Sequence, residues 1–99
     1  MHFFKNQNII QKAGIINLQG KFEQSGFGFS CLKQAANLEI SGKFKYVSPE
    51  QVEIIISGSE SAIQSFHQWC MTQKMTVSGD MQLLSEVNKF DEFEIVNHL

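Results

Sequence analysis

Ninety-nine residues suffice for one domain with a single modest core that buries about two thirds of the surface exposed by the unfolded chain. Apolar residues make up 42% and charged residues 18%, an ordinary globular balance that argues against disorder. The net charge is −2 and disfavours a nucleic-acid platform; all eight basic residues are lysines, so chemistry that needs a guanidinium is excluded.

The chain starts Met1-His2-Phe3-Phe4-Lys5-Asn6-Gln7 and turns polar after two phenylalanines. No apolar stretch there is long enough for a signal peptide or a membrane span, so the expectation is a cytoplasmic protein with no membrane contact. One domain spanning 1–99 is expected, with residues 1–12 as its loose N-terminal segment. Ile15 to Phe22 reads as a strand, with Ile16, Leu18 and Phe22 on one face and Asn17, Gln19 and Lys21 on the other. Glu23-Gln24-Ser25-Gly26 breaks the alternation, and Gly26 and Gly28 permit unusual backbone angles.

A helix is expected over Phe29–Leu38, where Cys31, Ala35 and Leu38 recur at helical spacing. Ile40 to Val47 reads as a second strand, with Phe44 and Tyr46 on one face and Lys43 and Lys45 on the other. Ser48-Pro49-Glu50-Gln51 is a turn, and the β-branched Val52–Ile56 closes a hairpin. A second helix starts at Ser59 or Glu60 and aligns Ala62, Ile63, Phe66, Trp69 and Cys70 on one face, with His67 off that stripe and solvated. Thr76 to Val87 contains a further strand with Met81 and Leu83 inward, and Glu92 to Val96 forms a short final one.

The order β-α-β-β-α-β is the split βαβ plan: an α+β, ferredoxin-like sandwich with two helices on one face of an antiparallel or mixed sheet. Its open face carries Ile15, Asn17, Gln19, Lys21, Lys43, Lys45, Glu53, Ile55 and Ser57, which is mostly polar. The two cysteines form no CxxC pair, and His2, His67 and His98 have no metal-ligand spacing, so no metal and no cofactor are expected. In this plan the two helices run antiparallel and bring Cys31 towards Cys70.

Gly20-Lys21-Phe22-Glu23-Gln24-Ser25-Gly26-Phe27-Gly28 runs without a gap into Ala35, Leu38, Ile40 and Gly42, and the register continues to Val52, Gly58 and Trp69. Together with Glu92-Phe93-Glu94-Ile95 at the end, this resembles the acylphosphatases over roughly residues 13–96. That family carries a G-x-V-Q-G-V-x-F-R loop, then A-x-x-L-G-L-x-G and W-V-x-N. The resemblance implies the acylphosphatase type of ferredoxin-like sandwich and a loop whose backbone N–H groups cradle a phosphate. It further implies hydrolysis of carboxyl-phosphate bonds by an arginine that forks onto the phosphate and an asparagine that orients water.

Here the arginine position is Gly28 and the asparagine position is Tyr46, and neither residue supplies the missing group. The family's glutamine is Glu23, which adds negative charge beside an anion site, and its next glycine is Gln24. Losing one donor to a developing charge costs about 10²–10³ in rate. Lys21 and Lys45 are the nearest cations in sequence, and by strand alternation both face away from Phe22 and Tyr46.

Gly26-Phe27-Gly28-Phe29 is superficially similar to the aromatic motif of the RRM family. There the motif lies on the third strand; here that strand reads Val52-Glu53-Ile54-Ile55-Ile56, without an aromatic. A cysteine nucleophile is disfavoured because Cys31 and Cys70 fall on apolar stripes. The expectation is therefore a catalytically inactive acylphosphatase-like domain, a module for an unknown small ligand or protein. Its candidate binding residues are Glu23, Gln24, Ser25, Gly26, Phe27, Gly28 and Tyr46, and it is a monomer or weak dimer. Association through an edge strand or the Ile15–Ile55 patch is a second route to a partner. The alternative is a diverged acylphosphatase that uses a different residue set.

Overall fold

Strand β1 (Gln11–Gly20) lies between two antiparallel neighbours, β3 (Gln51–Ser59) and β4 (Thr76–Leu84). The computed structural model describes residues 10–84 and 90–96. Beyond β3 comes β2 (Ser41–Ser48), antiparallel to it, and then β5 (Phe93–Val96), parallel to β2. The sheet order is β4-β1-β3-β2-β5, with helices α1 (Phe27–Asn37) and α2 (Glu60–Met71) packed on it. The chain is therefore an α+β, ferredoxin-like sandwich of mixed sheet and two helices, as its alternation patterns require.

The register puts Ile16 opposite Ile54, Leu18 opposite Val52 and Phe44 opposite Ile54, so these side chains share the helix-covered face. All five are fully buried, together with Cys31 and Ala35 of α1 and Ile63, Phe66 and Cys70 of α2. Lys45 and Asn17 sit opposite Glu53, and Lys43 and Ile15 opposite Ile55, which makes the other face the polar one. Ser57, expected on that open face, is buried beside its strand partner Ala13. Helix α2 begins where Ser59 Oγ accepts the Ala62 N–H at 3.2 Å, a cap worth about 1 kcal/mol, and Glu60 adds negative charge to the first turn.

The boundaries differ from the sequence expectation for identifiable reasons. β1 starts at Gln11, inside the segment read as loose, because Gln11 and Lys12 find ladder partners in Ser59 and Gly58. The same pairing carries β3 on to Ser59. β1 stops at Gly20, where the ladder to β4 shifts register; Lys21 and Phe22 then donate to the Met75 and Pro49 carbonyls. Phe22 is nevertheless core. α1 begins two residues early, at Phe27, which places Gly28 inside the first turn instead of in the loop. Leu83 shares the helix-side face of Met81 by register, but on the outermost strand it stays 40% exposed, whereas Met81 packs against the core. His67 is not fully solvated either. Four residues after Ile63, it is only about 40° round the helix from that buried side chain, and its Nε2 is buried with no hydrogen-bond partner among the described residues. Residues 1–9, Lys89, His98 and the stretch Ser85–Val87 of the expected fourth strand lie outside the described residues.

Cys31 of α1 lies beside Cys70 of α2, and both thiols are free and buried. Burial pushes the Cys31 thiol far above its ordinary range, and the Cys70 side chain adds to the effect. The folded protein holds the proton where the unfolded chain releases it, so stability is constant below the ordinary thiol value of about 8.5 and falls as pH rises above it. Urea midpoints measured from pH 7 to pH 10 should show this decline. Rapid alkylation of the native protein by iodoacetamide at pH 8 would contradict it.

Candidate functional site

The segment from Phe22 to Gly26 turns the chain from β1 into α1. Ser25 closes it: its N–H and its Oγ both donate to the Phe22 carbonyl, at 3.1 and 2.6 Å, and its Oγ accepts the Phe27 N–H at 3.2 Å. Two residues take left-handed backbone angles, Gln24 at φ 58° and Gly26 at φ 70°. Gly26 does so freely and forms the start of α1, its carbonyl accepting the Ser30 N–H. Gln24 does so against the Cβ penalty, so the loop keeps a tight turn at a position where glycine is the unstrained choice.

Such a turn aims the first N–H groups of α1 away from the helix, where they need an acceptor. The Gly28 N–H donates to the Tyr46 hydroxyl at 2.8 Å. The Tyr46 ring stands edge-on to Phe44, centroids 4.8 Å apart, and is held over the helix end from β2. The absence of a side chain at residue 28 is what admits this hydroxyl. A Cβ there would lie 3.1 Å from Tyr46 Oη, 3.0 Å from Ile95 Cδ1 and 3.4 Å from Phe44 Cε1. Gly28 and Tyr46 are thus fitted to each other.

Above this contact opens a cleft of about 460 Å³. Glu23, Gln24 and Gly26 of the loop line it with Phe22, Phe29, Tyr46, Ser48, Pro49 and Ile95. Of the sequence candidates, Glu23, Gln24, Gly26 and Tyr46 therefore meet around one space. Ser25 pins the loop, Gly28 lies beneath the tyrosine hydroxyl, and Phe27 points into the core. Ile95 was not foreseen as a wall. It arrives because β5 pairs in parallel with β2, Phe44 opposite Ile95, a contact without a local sequence signal. Neither candidate lysine reaches the cleft: Lys45 is on the open face opposite Glu53, and Lys21 lines a separate depression with Gln19 and Glu50.

A five-stranded mixed sheet covered by two helices, with a tight turn leading from the first strand into the first helix, defines the ferredoxin-like class of small α+β domains. The family model described as Acylphosphatase matches residues 15–95, and the chain belongs to that family. An acylphosphatase of Aliivibrio fischeri is 30% identical over 59 residues, covering 60% of this chain and 66% of the relative, just under two thirds of its length. The solved acylphosphatase of Coxiella burnetii superposes with a TM-score of 0.79 at 20% identity, over 87% of this chain and 93% of that one. That of Bacillus subtilis gives 0.76 at 22% identity, over 88% and 99%. At these identities the two structures establish the fold. Among the described residues no helix is long and apolar enough to cross a membrane.

Proposed function

We propose that this chain is an acylphosphatase-family domain that no longer hydrolyses acyl phosphates and serves as a binding module at the inherited loop. The observation that carries this reading is the Gly28 N–H to Tyr46 hydroxyl bond at 2.8 Å. Both positions that the family devotes to chemistry are then spent on each other: one has lost its side chain, and the other uses its polar atom to satisfy the helix end. A phosphate oxygen approaching that N–H has to displace the tyrosine, with no arginine to offset the exchange and with Glu23 on the rim. The module acts as a monomer or weak dimer, and the cytoplasm is the compartment its sequence favours.

The test is hydrolysis of benzoyl phosphate on the same sample as an inorganic phosphate titration followed by amide NMR. The expected result is turnover no faster than buffer and no saturable shift at Ser25, Gly26 or Gly28. Turnover with saturable shifts overturns the reading and favours an acylphosphatase with a different residue set. The family membership and the intact left-handed turn at Gln24 and Gly26 are the observations on that side.

A further inference from the structure

Resting on the non-hydrolytic reading above, we infer that the cleft binds a small, uncharged, ring-bearing molecule through a carbonyl-type acceptor placed on the Tyr46 hydroxyl. Three observations set this chemistry. The first is apolar surface left in water. Phe29 is 69% exposed, Tyr46 40% and Ile95 39%, and all three surround this one cleft together with Phe22 and Pro49. Apolar groups gathered at a concavity, rather than scattered singly, mark a place where something apolar is taken out of water. The volume of about 460 Å³ lies in the range of small-molecule sites.

The second observation is the state of the hydroxyl. Tyr46 accepts from Gly28, so its own proton is available, and among the described residues no acceptor takes it. Accepting from the first turn of an eleven-residue helix polarises the O–H further, which makes it a better donor to the cleft. A ligand therefore gains by presenting an acceptor there. The third is charge. Glu23 is the only acidic residue on the walls, and neither lysine nor histidine is among them. An anion would be buried against apolar walls without a counter-ion and near a carboxylate; a cation would face the positive end of α1. Neutral aromatic carbonyl compounds avoid both costs.

The experiment is an amide NMR titration of the full chain with three molecules of one shape: benzamide, benzoate and benzylammonium. Benzamide is expected to shift Gly26, Gly28 and Phe29 saturably, with the two charged analogues about ten-fold weaker or silent. Tyr46→Phe keeps the ring and removes the donor, so benzamide should weaken about five-fold, the worth of one neutral hydrogen bond. That variant also uncaps the helix, so Phe29→Ala serves as the second: it trims an exposed wall, should leave the melting temperature unchanged and should weaken benzamide by a similar factor. Failure of benzamide to bind overturns the inference while a null benzoyl phosphate assay leaves the non-hydrolytic reading standing. Tighter binding of benzoate or phosphate at the same amides overturns it in favour of an anion site. Undiminished benzamide affinity in Tyr46→Phe removes the acceptor contact. N-acetylphenylalaninamide binding ten-fold tighter than benzamide would assign the cleft to a partner's chain and overturn the small-molecule assignment.

Discussion

Gly28→Arg alone is expected to lower stability and to leave acyl-phosphate hydrolysis undetected, whereas Gly28→Arg combined with Tyr46→Asn is expected to bind phosphate and hydrolyse benzoyl phosphate. The single variant fails on space. The first atom of its side chain already stands 3.0 Å from Ile95 Cδ1 and 3.1 Å from Tyr46 Oη, and a guanidinium must extend past both. Overpacking of this kind costs about 1–3 kcal/mol, and the displaced hydroxyl leaves the Gly28 N–H without its acceptor. Removing the tyrosine ring opens the volume and frees that N–H, and the pair then supplies a bidentate cation and an amide on the two elements that position them. Restored electrostatic stabilisation of this type is worth about 10²–10³ in rate. A stopped assay for benzoate release, with urea midpoints for all three proteins, decides the matter. If the folded double variant neither binds phosphate nor turns over, then Glu23 and Gln24 are sufficient to disable the loop, and the Gly28–Tyr46 contact is not the controlling change.

Phe27→Ala should cost about 3–5 kcal/mol, which is a large share of the 5–15 kcal/mol that holds a domain of this size together. Phe27 is fully buried and lies at the meeting point of the loop, the sheet and α2. Its ring is 5.0 Å from Phe22, 5.8 Å from Phe44 and 6.0 Å from Trp69, the last nearly parallel at 6°. Alanine there opens a cavity that three aromatic neighbours on separate elements cannot all close. The melting temperature should fall by on the order of 20 °C. Phe29→Ala, two residues along the same helix turn, supplies the contrast: its exposed ring should cost no more than about 0.5 kcal/mol. A similar loss for the two variants would mean that Phe29 is packed and that the cleft has one wall fewer than described.

Much of the fold was legible in the sequence because its signals are local and periodic. Phe44 and Tyr46 against Lys43 and Lys45 is a period-two pattern, and Ile63, Phe66 and Cys70 form a helical one, so faces followed from spacing. Ends were less legible. Gln11 and Lys12 carry no strand preference and are drawn in by their partners on β3, while Phe27 and Gly28 join α1 because Gly26 starts the helix two residues sooner. His67 was less legible because it sits on the flank of the α2 stripe, where helical spacing does not decide between core and solvent. In the site, the loop residues and Tyr46 were legible as positions that align with a known motif, several of them by departing from it. The bond between Gly28 and Tyr46 was not, since nothing in two residues eighteen positions apart says that one hydroxyl meets one N–H. Ile95 was invisible for the same reason: a parallel pairing across about half of the chain leaves no trace in neighbouring residues.

β5 is four residues long and is paired with β2 alone, yet its Ile95 both packs over Gly28 and walls the cleft. A strand this short has few ladder bonds to retain it, so apolar contacts hold it as well: Phe93 is buried against Phe66, and Ile95 adds the contact at the cleft wall. Whatever fills the cleft adds to that contact. Occupancy and the docking of the C-terminal strand are thus two readings of one linked equilibrium, in which a ligand tightens the strand and a detached strand loosens the ligand by the same factor.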